Sequence, residues 1–140
     1  MSERLEYLLD TNVLSETRKK KADAGLRSFL EKTDASTLYI SVLTLGELRK
    51  GIARKKREDA EMARRLADWA EGLELGFADR ILGIDAATAR LWGEWSSERP
   101  RPVVDTLLAA TAVQHGLTLV TRNIRDLRGI PVKLLDPWTE

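Results

Sequence analysis

The chain has 140 residues, 43% hydrophobic and 32% charged, which suits one folded domain and excludes a disordered tail. Its 23 basic and 22 acidic residues leave a net charge of +1, so no overall field draws it to nucleic acid and any such contact must come from local patches. The absence of cysteine and the single histidine exclude a disulfide framework, thiolate zinc and a cysteine nucleophile, leaving oxygen to hold any catalytic metal.

Leu5 to Leu9 is a short apolar-rich run closed by Asp10, Thr11 and Asn12, and is predicted to be a buried strand ending at Asp10. After the basic run 18–21, Leu26, Phe29 and Leu30 recur at helical spacing. The β-branched and aromatic stretch 38–42 feeds a helix carrying Leu45, Leu48 and Ile52, one βα unit. Residues 60–74 repeat the helical pattern through Leu66, Trp69, Ala70 and Leu73, and a strand candidate follows at 80–84. Asp85 is placed to cap a helix with Ala89, Leu91, Trp92 and Trp95 pointing inward, until Pro100 and Pro102 impose an extended loop. Asp105 opens a small-residue helix over 107–115, closed by Gly116. Strands are expected at 117–121 and 132–135. Strands alternating with helices predict an α/β fold with a mainly parallel sheet covered on both faces, in a single domain over 1–140 without repeat or linker. No apolar run approaches a signal peptide or a membrane span, so a cytoplasmic protein with no membrane contact is expected.

Ligands in such a sheet bind beyond the carboxyl ends of the strands, which directs attention to the polar residues there. Asp10 follows the first strand, Glu47 lies in the first turn after Ser41, Asp105 opens the helix after the proline loop, and Thr121, Asn123 and Asp126 follow the strand at 117. Each has a local explanation: Asp10 or Asn12 as a cap, Thr44 to Glu47 as a capping box, Asp105 at a helix start, Asn123 and Asp126 as turn residues. Local roles do not explain why four separated connections bring acids or amides to one predicted edge. Clustered carboxylates raise one another's pKa unless a cation neutralises them, so Mg²⁺ or Mn²⁺ is the expected occupant and phosphodiester hydrolysis the matching chemistry.

Five motifs stand in order: LLDTNVLSE at 8–16, SVLTLGEL at 41–48, PVVDTLLAATA at 102–112, GLTLVTRN at 116–123 and LLDPW at 134–138. Over essentially its whole length the chain resembles a PIN-domain ribonuclease, a VapC-type toxin of a bacterial toxin–antitoxin pair in the FitB-like subgroup. That resemblance implies a three-layer α/β/α sandwich and an Mg²⁺- or Mn²⁺-dependent endoribonuclease. Its acids fall on Asp10, Glu47 and Asp105. The family's fourth acidic position lies where this chain has Asn123 and, three residues on, Asp126; Asn123 ranks first because it can supply a carbonyl oxygen or orient a metal-bound water, whereas Asp126 can do so only if the turn brings it back toward the pocket. Thr11, Asn12 and Thr121 look like residues that hold the carboxylates by hydrogen bonds. The resemblance further implies an RNA substrate, a homodimer, a cognate VapB-like antitoxin forming a higher assembly, and DNA contact only through that antitoxin.

The stretch 49–57, RKGIARKKR, continues the helix of Glu47 and offers Arg49, Lys50 and Arg54 to an RNA backbone, although a solvated helix face explains it equally. His115 suits a helix C-terminus, and Trp69, Trp92 and Trp95 suit a core or an interface. Two rival readings stand beside this one. A phosphatase with an aspartyl nucleophile wants a second acid two residues after the first, where this chain has Asn12. A catalytically silent binding module acting with an antitoxin on DNA is the other.

Overall fold

The structure, a computed structural model, describes residues 4–138; both ends of the expected 1–140 domain lie outside the described residues. In chain order the elements are β1 (Tyr7–Leu9), α1 (Thr11–Thr17), α2 (Ala24–Lys32), β2 (Leu38–Ser41), α3 (Val42–Glu58), α4 (Ala60–Gly76), β3 (Ile81–Leu82), α5 (Ala86–Glu98), α6 (Val103–His115), β4 (Thr118–Val120) and β5 (Leu134–Leu135). Short 3-10 turns occupy Ala35–Thr37 and Arg125–Leu127. All pairings are parallel and the strand order is β3-β2-β1-β4-β5, so the chain winds outward one way from β1 and then crosses to its other side. The order reverses between β1 and β4, and it is at such a point that an open α/β sheet leaves a crevice.

Alternation along the strands builds two cores. Leu8 and Leu119 face α5 and α6, where Trp95, Leu108 and Ala112 are buried. Leu9, Val120 and Ile40 face the opposite layer with Val13 and Leu14 of α1 and Leu26 of α2. Helices on both faces of a parallel sheet make the α/β/α sandwich. A strand buried on both faces has no polar alternation, which is why these runs are short and uniformly apolar.

Several boundaries differ from the sequence reading. β1 stops at Leu9 because Asp10, extended at φ −70° and ψ 158°, caps α1, a helix the sequence reading leaves out. Ser41 caps α3 through the Leu43 N–H (3.0 Å), so the Thr44 to Glu47 capping box does not form and Glu47 sits in the second turn. Pro102 begins α6 with ψ 128°, which puts Asp105 inside the first turn rather than at the opening of a helix starting at 107. Asp85 caps α5 as expected, its carboxylate accepting from the Thr88 N–H at 2.8 Å, but the buried stripe is Thr88, Leu91, Trp92 and Trp95 and leaves Ala89 exposed. Gly116 closes α6 at φ 68°, a left-handed turn that suits glycine. The strands expected at 80–84 and 117–121 shorten to 81–82 and 118–120, and the one expected at 132–135 keeps only its last two residues.

Candidate active site

Asp10 is the most buried of the acids, 5% exposed at the end of the central strand. Its backbone N–H continues the ladder to the Val120 carbonyl (3.0 Å), which pins the residue at the crevice between β1 and β4. Its carboxylate accepts from the Thr11 N–H (2.6 Å) on one oxygen and from the Thr121 hydroxyl (2.7 Å) on the other. The Thr121 oxygen in turn accepts from the Asn123 N–H (3.0 Å), with the Asn12 amide nitrogen 3.5 Å away. One hydroxyl thereby uses its proton on Asp10 and its lone pairs on Asn123, in the loop that follows β4, and on Asn12 of α1.

Glu47 reaches the same place from α3. The Thr11 hydroxyl donates to its Oε1 at 2.5 Å, and the Thr44 hydroxyl lies 3.2 Å from that of Thr11. Because Ser41 takes the capping role, both Thr44 and Glu47 are free to turn toward α1. Thr44 is a site residue missed from sequence, where it reads as a cap.

Asp105 joins them electrostatically. Burial, then the charges of Asp10, Asp126 and Glu47, push its pKa up from an ordinary 3.8 to about 6. Asp10 is also raised, by burial first and with Glu47 contributing, against the lowering pull of the Thr121 and Thr11 hydrogen bonds. No cation figures among the influences on either acid, and among the described residues no ion pair reaches any of the four. Asp126 therefore belongs to the group although it is exposed in the 3-10 turn, whereas Asn123 is exposed and enters through its backbone N–H.

The donor chemistry fits a hard divalent ion. All the donors are oxygen, the anions are unfavourable without a counter-charge, and the buried Asn12 Oδ1 has no hydrogen-bond partner. Among the described residues no three such side chains form a ready-made cage. Mg²⁺ does not ask for one: it keeps several waters and is bound through one or two carboxylates.

Two arginines also escaped the sequence reading. The Arg101 side chain, 3% exposed, donates from Nε to the Trp95 carbonyl (3.2 Å) and from Nη1 to the Arg128 carbonyl (3.3 Å). Arg99 donates to that same Arg128 carbonyl at 2.9 Å. They tie the loop preceding Asp105 to the segment just after Asp126. The signal was present as two arginines flanking Pro100, but nothing in sequence says what they reach.

Of the basic residues, Lys50 and Arg54 line a groove that ends at Thr11 and Glu47, while Arg49 is exposed and lines neither of the two grooves beside α3. In the 18–21 run, Arg18 stacks over the Trp69 ring, 5.6 Å from its centroid.

Residues 7–132 match the PIN-domain family. The chain is a PIN domain. This PIN domain is 30% identical to VapC ribonuclease Y4jK of Sinorhizobium fredii over 94% of its own length and 96% of the relative's. It superposes on FitAcB from Neisseria gonorrhoeae with a TM-score of 0.85, at 28% identity, covering 96% of this chain and 99% of that one. It also superposes on DNA-bound VapBC from Salmonella typhimurium with a TM-score of 0.76 and 26% identity, covering 95% and 98%. Its place is in the VapC and FitB branch of the family. No helix among the described residues is long and apolar enough to cross a membrane.

Proposed function

We propose that this PIN domain is a metal-dependent endoribonuclease, the toxin of a toxin–antitoxin pair. The observation that carries the reading is the meeting of Asp10 and Glu47 across Thr11 at the crevice between β1 and β4 of a PIN domain, with Asp105 raised beside them by burial and by their charges. Such a group is built to receive positive charge, and in a chain without cysteine that means Mg²⁺ or Mn²⁺. Bound there, such an ion would supply charge for a phosphoryl oxygen and lower the pKa of a water, the chemistry that hydrolysis of an RNA phosphodiester needs.

Asp10, Glu47 and Asp105 would hold the ion, and Asp126, whose charge reaches Asp105, or Asn123 would complete the set. Thr11 and Thr121 fix the rotamers of Glu47 and Asp10 so that their oxygens do not turn away when the charge balance changes. Asn123 acts through its backbone, orienting the Thr121 hydroxyl. The likeness to VapBC and FitAcB supports a VapB-like antitoxin and DNA contact through it; inhibition by that antitoxin, a homodimer and action in the cytoplasm complete the reading as parts of the proposal.

The test is cleavage of a mixed tRNA and rRNA pool by the purified protein in Mg²⁺, Mn²⁺ or EDTA, with Asp10→Asn run alongside. Cleavage that needs the ion and is lost in a folded variant supports the reading. No cleavage by a folded protein that binds the ion would leave a silent module acting with its antitoxin.

A further inference from the structure

The face of α3 that carries Glu47 is a groove of about 550 Å³, and its walls differ at the two ends. Val42 and Leu43, with Val104 of α6, make one end apolar; Lys50 and Arg54, one turn apart, make the other end basic. Glu47 lies between them. Both cations are exposed and, among the described residues, neither is in an ion pair. The adjoining groove along α3 also touches Thr11 and Glu47, but its cations are engaged: Arg18 on Trp69, and Lys55 with Glu58 at 3.7 Å.

We propose that a single RNA strand lies in the groove of Val42 and Lys50, the phosphates on one side of the cut held by Lys50 and Arg54 and a sugar or base on the other side seated against Leu43 and Val104. This rests on the ribonuclease reading and adds the path of the substrate to it. Charge complementarity selects the occupant, since two unpaired cations next to an acid cluster suit a polyanion whose metal-bound phosphate sits at the acids. The apolar wall offers no donor or acceptor, so it takes any base face and reads no sequence. Gly46, on the floor between the two ends, leaves helix backbone bare: a Cβ there would point into open space, with no atom of a neighbouring element within 4 Å. A glycine inside a helix lowers its stability, and here the missing side chain leaves room for the strand.

The experiment measures binding of a labelled single-stranded oligoribonucleotide to full-length Asp10→Asn protein across a salt series. Lys50→Ala with Arg54→Ala is expected to reduce the slope of log affinity against log salt by about 1.4, two phosphates at roughly 0.7 each. Gly46→Leu is expected to weaken binding about tenfold or more while the melting temperature holds or rises, because leucine is the better helix former. Arg64→Ala with Arg65→Ala, the same charge change on α4, leaves both quantities as they were. If the groove variants bind like the parent while the native protein cleaves RNA, the path is wrong and the nuclease stands. If Gly46→Leu keeps its RNA affinity but changes the sedimenting mass, the groove is a contact between copies and the proposal falls. If the native protein neither cleaves nor binds RNA, both readings fall together.

Discussion

A carboxylate that costs the fold energy as an anion leaves a signature in pH. Asp105 titrates near 6 and Asp10 is raised as well, so the folded state holds their protons more tightly than the unfolded chain does. Their contribution to stability is complete below the ordinary carboxylate pKa and is lost as pH rises through about 6. Asp34 and Asp85, held low chiefly by the N–H groups of Ser36 and Thr88, act in the opposite sense and lose their contribution on acidification. Metal-free protein should therefore be most stable between these limits, and denaturant titrations in EDTA at pH 5.0 and 7.5 will show the fall. Asp105→Asn should reduce that fall while lowering cleavage in Mg²⁺ by about 100-fold or more. Thr11→Val, which keeps the shape and removes the 2.5 Å bond to Glu47, should cost about 10- to 100-fold in Mn²⁺ affinity or activity, read by ion titration and cleavage rate. Asp10, Glu47 and Asp105 were legible in sequence because each follows a strand or opens a helix at the predicted edge. The influence of Asp126 on Asp105 was not legible, because the 3-10 turn that carries Asp126 has no period to read.

Where α3 begins decides what its first residues do. Ser41 is the last residue of β2 and also the cap of α3, so the helix starts a turn earlier than a cap at Thr44 would allow. The capping-box pattern was real in sequence and false in structure, because two hydroxyl residues competed for one role and strand geometry chose the first. Ser41→Ala should lower stability by about 1 kcal/mol in denaturant melts, and more if the buried hydroxyl site cannot repack. The small helix α1 escaped notice for a related reason: seven residues give too little periodicity, and its stability comes from the Asp10 cap and the burial of Val13 and Leu14. At the other side of the site, Arg101→Ala removes a guanidinium that satisfies two carbonyls. The expected loss is about 1.5–3 kcal/mol by urea denaturation, with weaker Mn²⁺ binding as Asp105 and Asp126 lose their common brace.

Across the whole molecule, α/β class, parallel pairing and two-sided burial could all be read from alternating segments, whereas the strand order could not, because apolar runs of similar composition do not say which neighbours they choose. That order is what makes the site, since β1 at the centre gives Asp10 a neighbour on each side. Binding of an ion to the folded state alone raises apparent stability, by about 2.7 kcal/mol at a hundred times Kd. Millimolar Mn²⁺ should accordingly raise the Tm of the native protein and leave Asp10→Asn nearly unmoved in the same thermal scan.

The bond from Thr121 to Asp10 spans 111 residues of chain. On a ribosome adding about 5–20 residues per second, Asp10 waits roughly 6–20 s for the partner that completes its setting. Through that interval the nascent chain has its first acid and lacks the strand that shapes the crevice, so the hazardous activity proposed for this protein would be withheld until β4 and the Thr121 that follows it have been made.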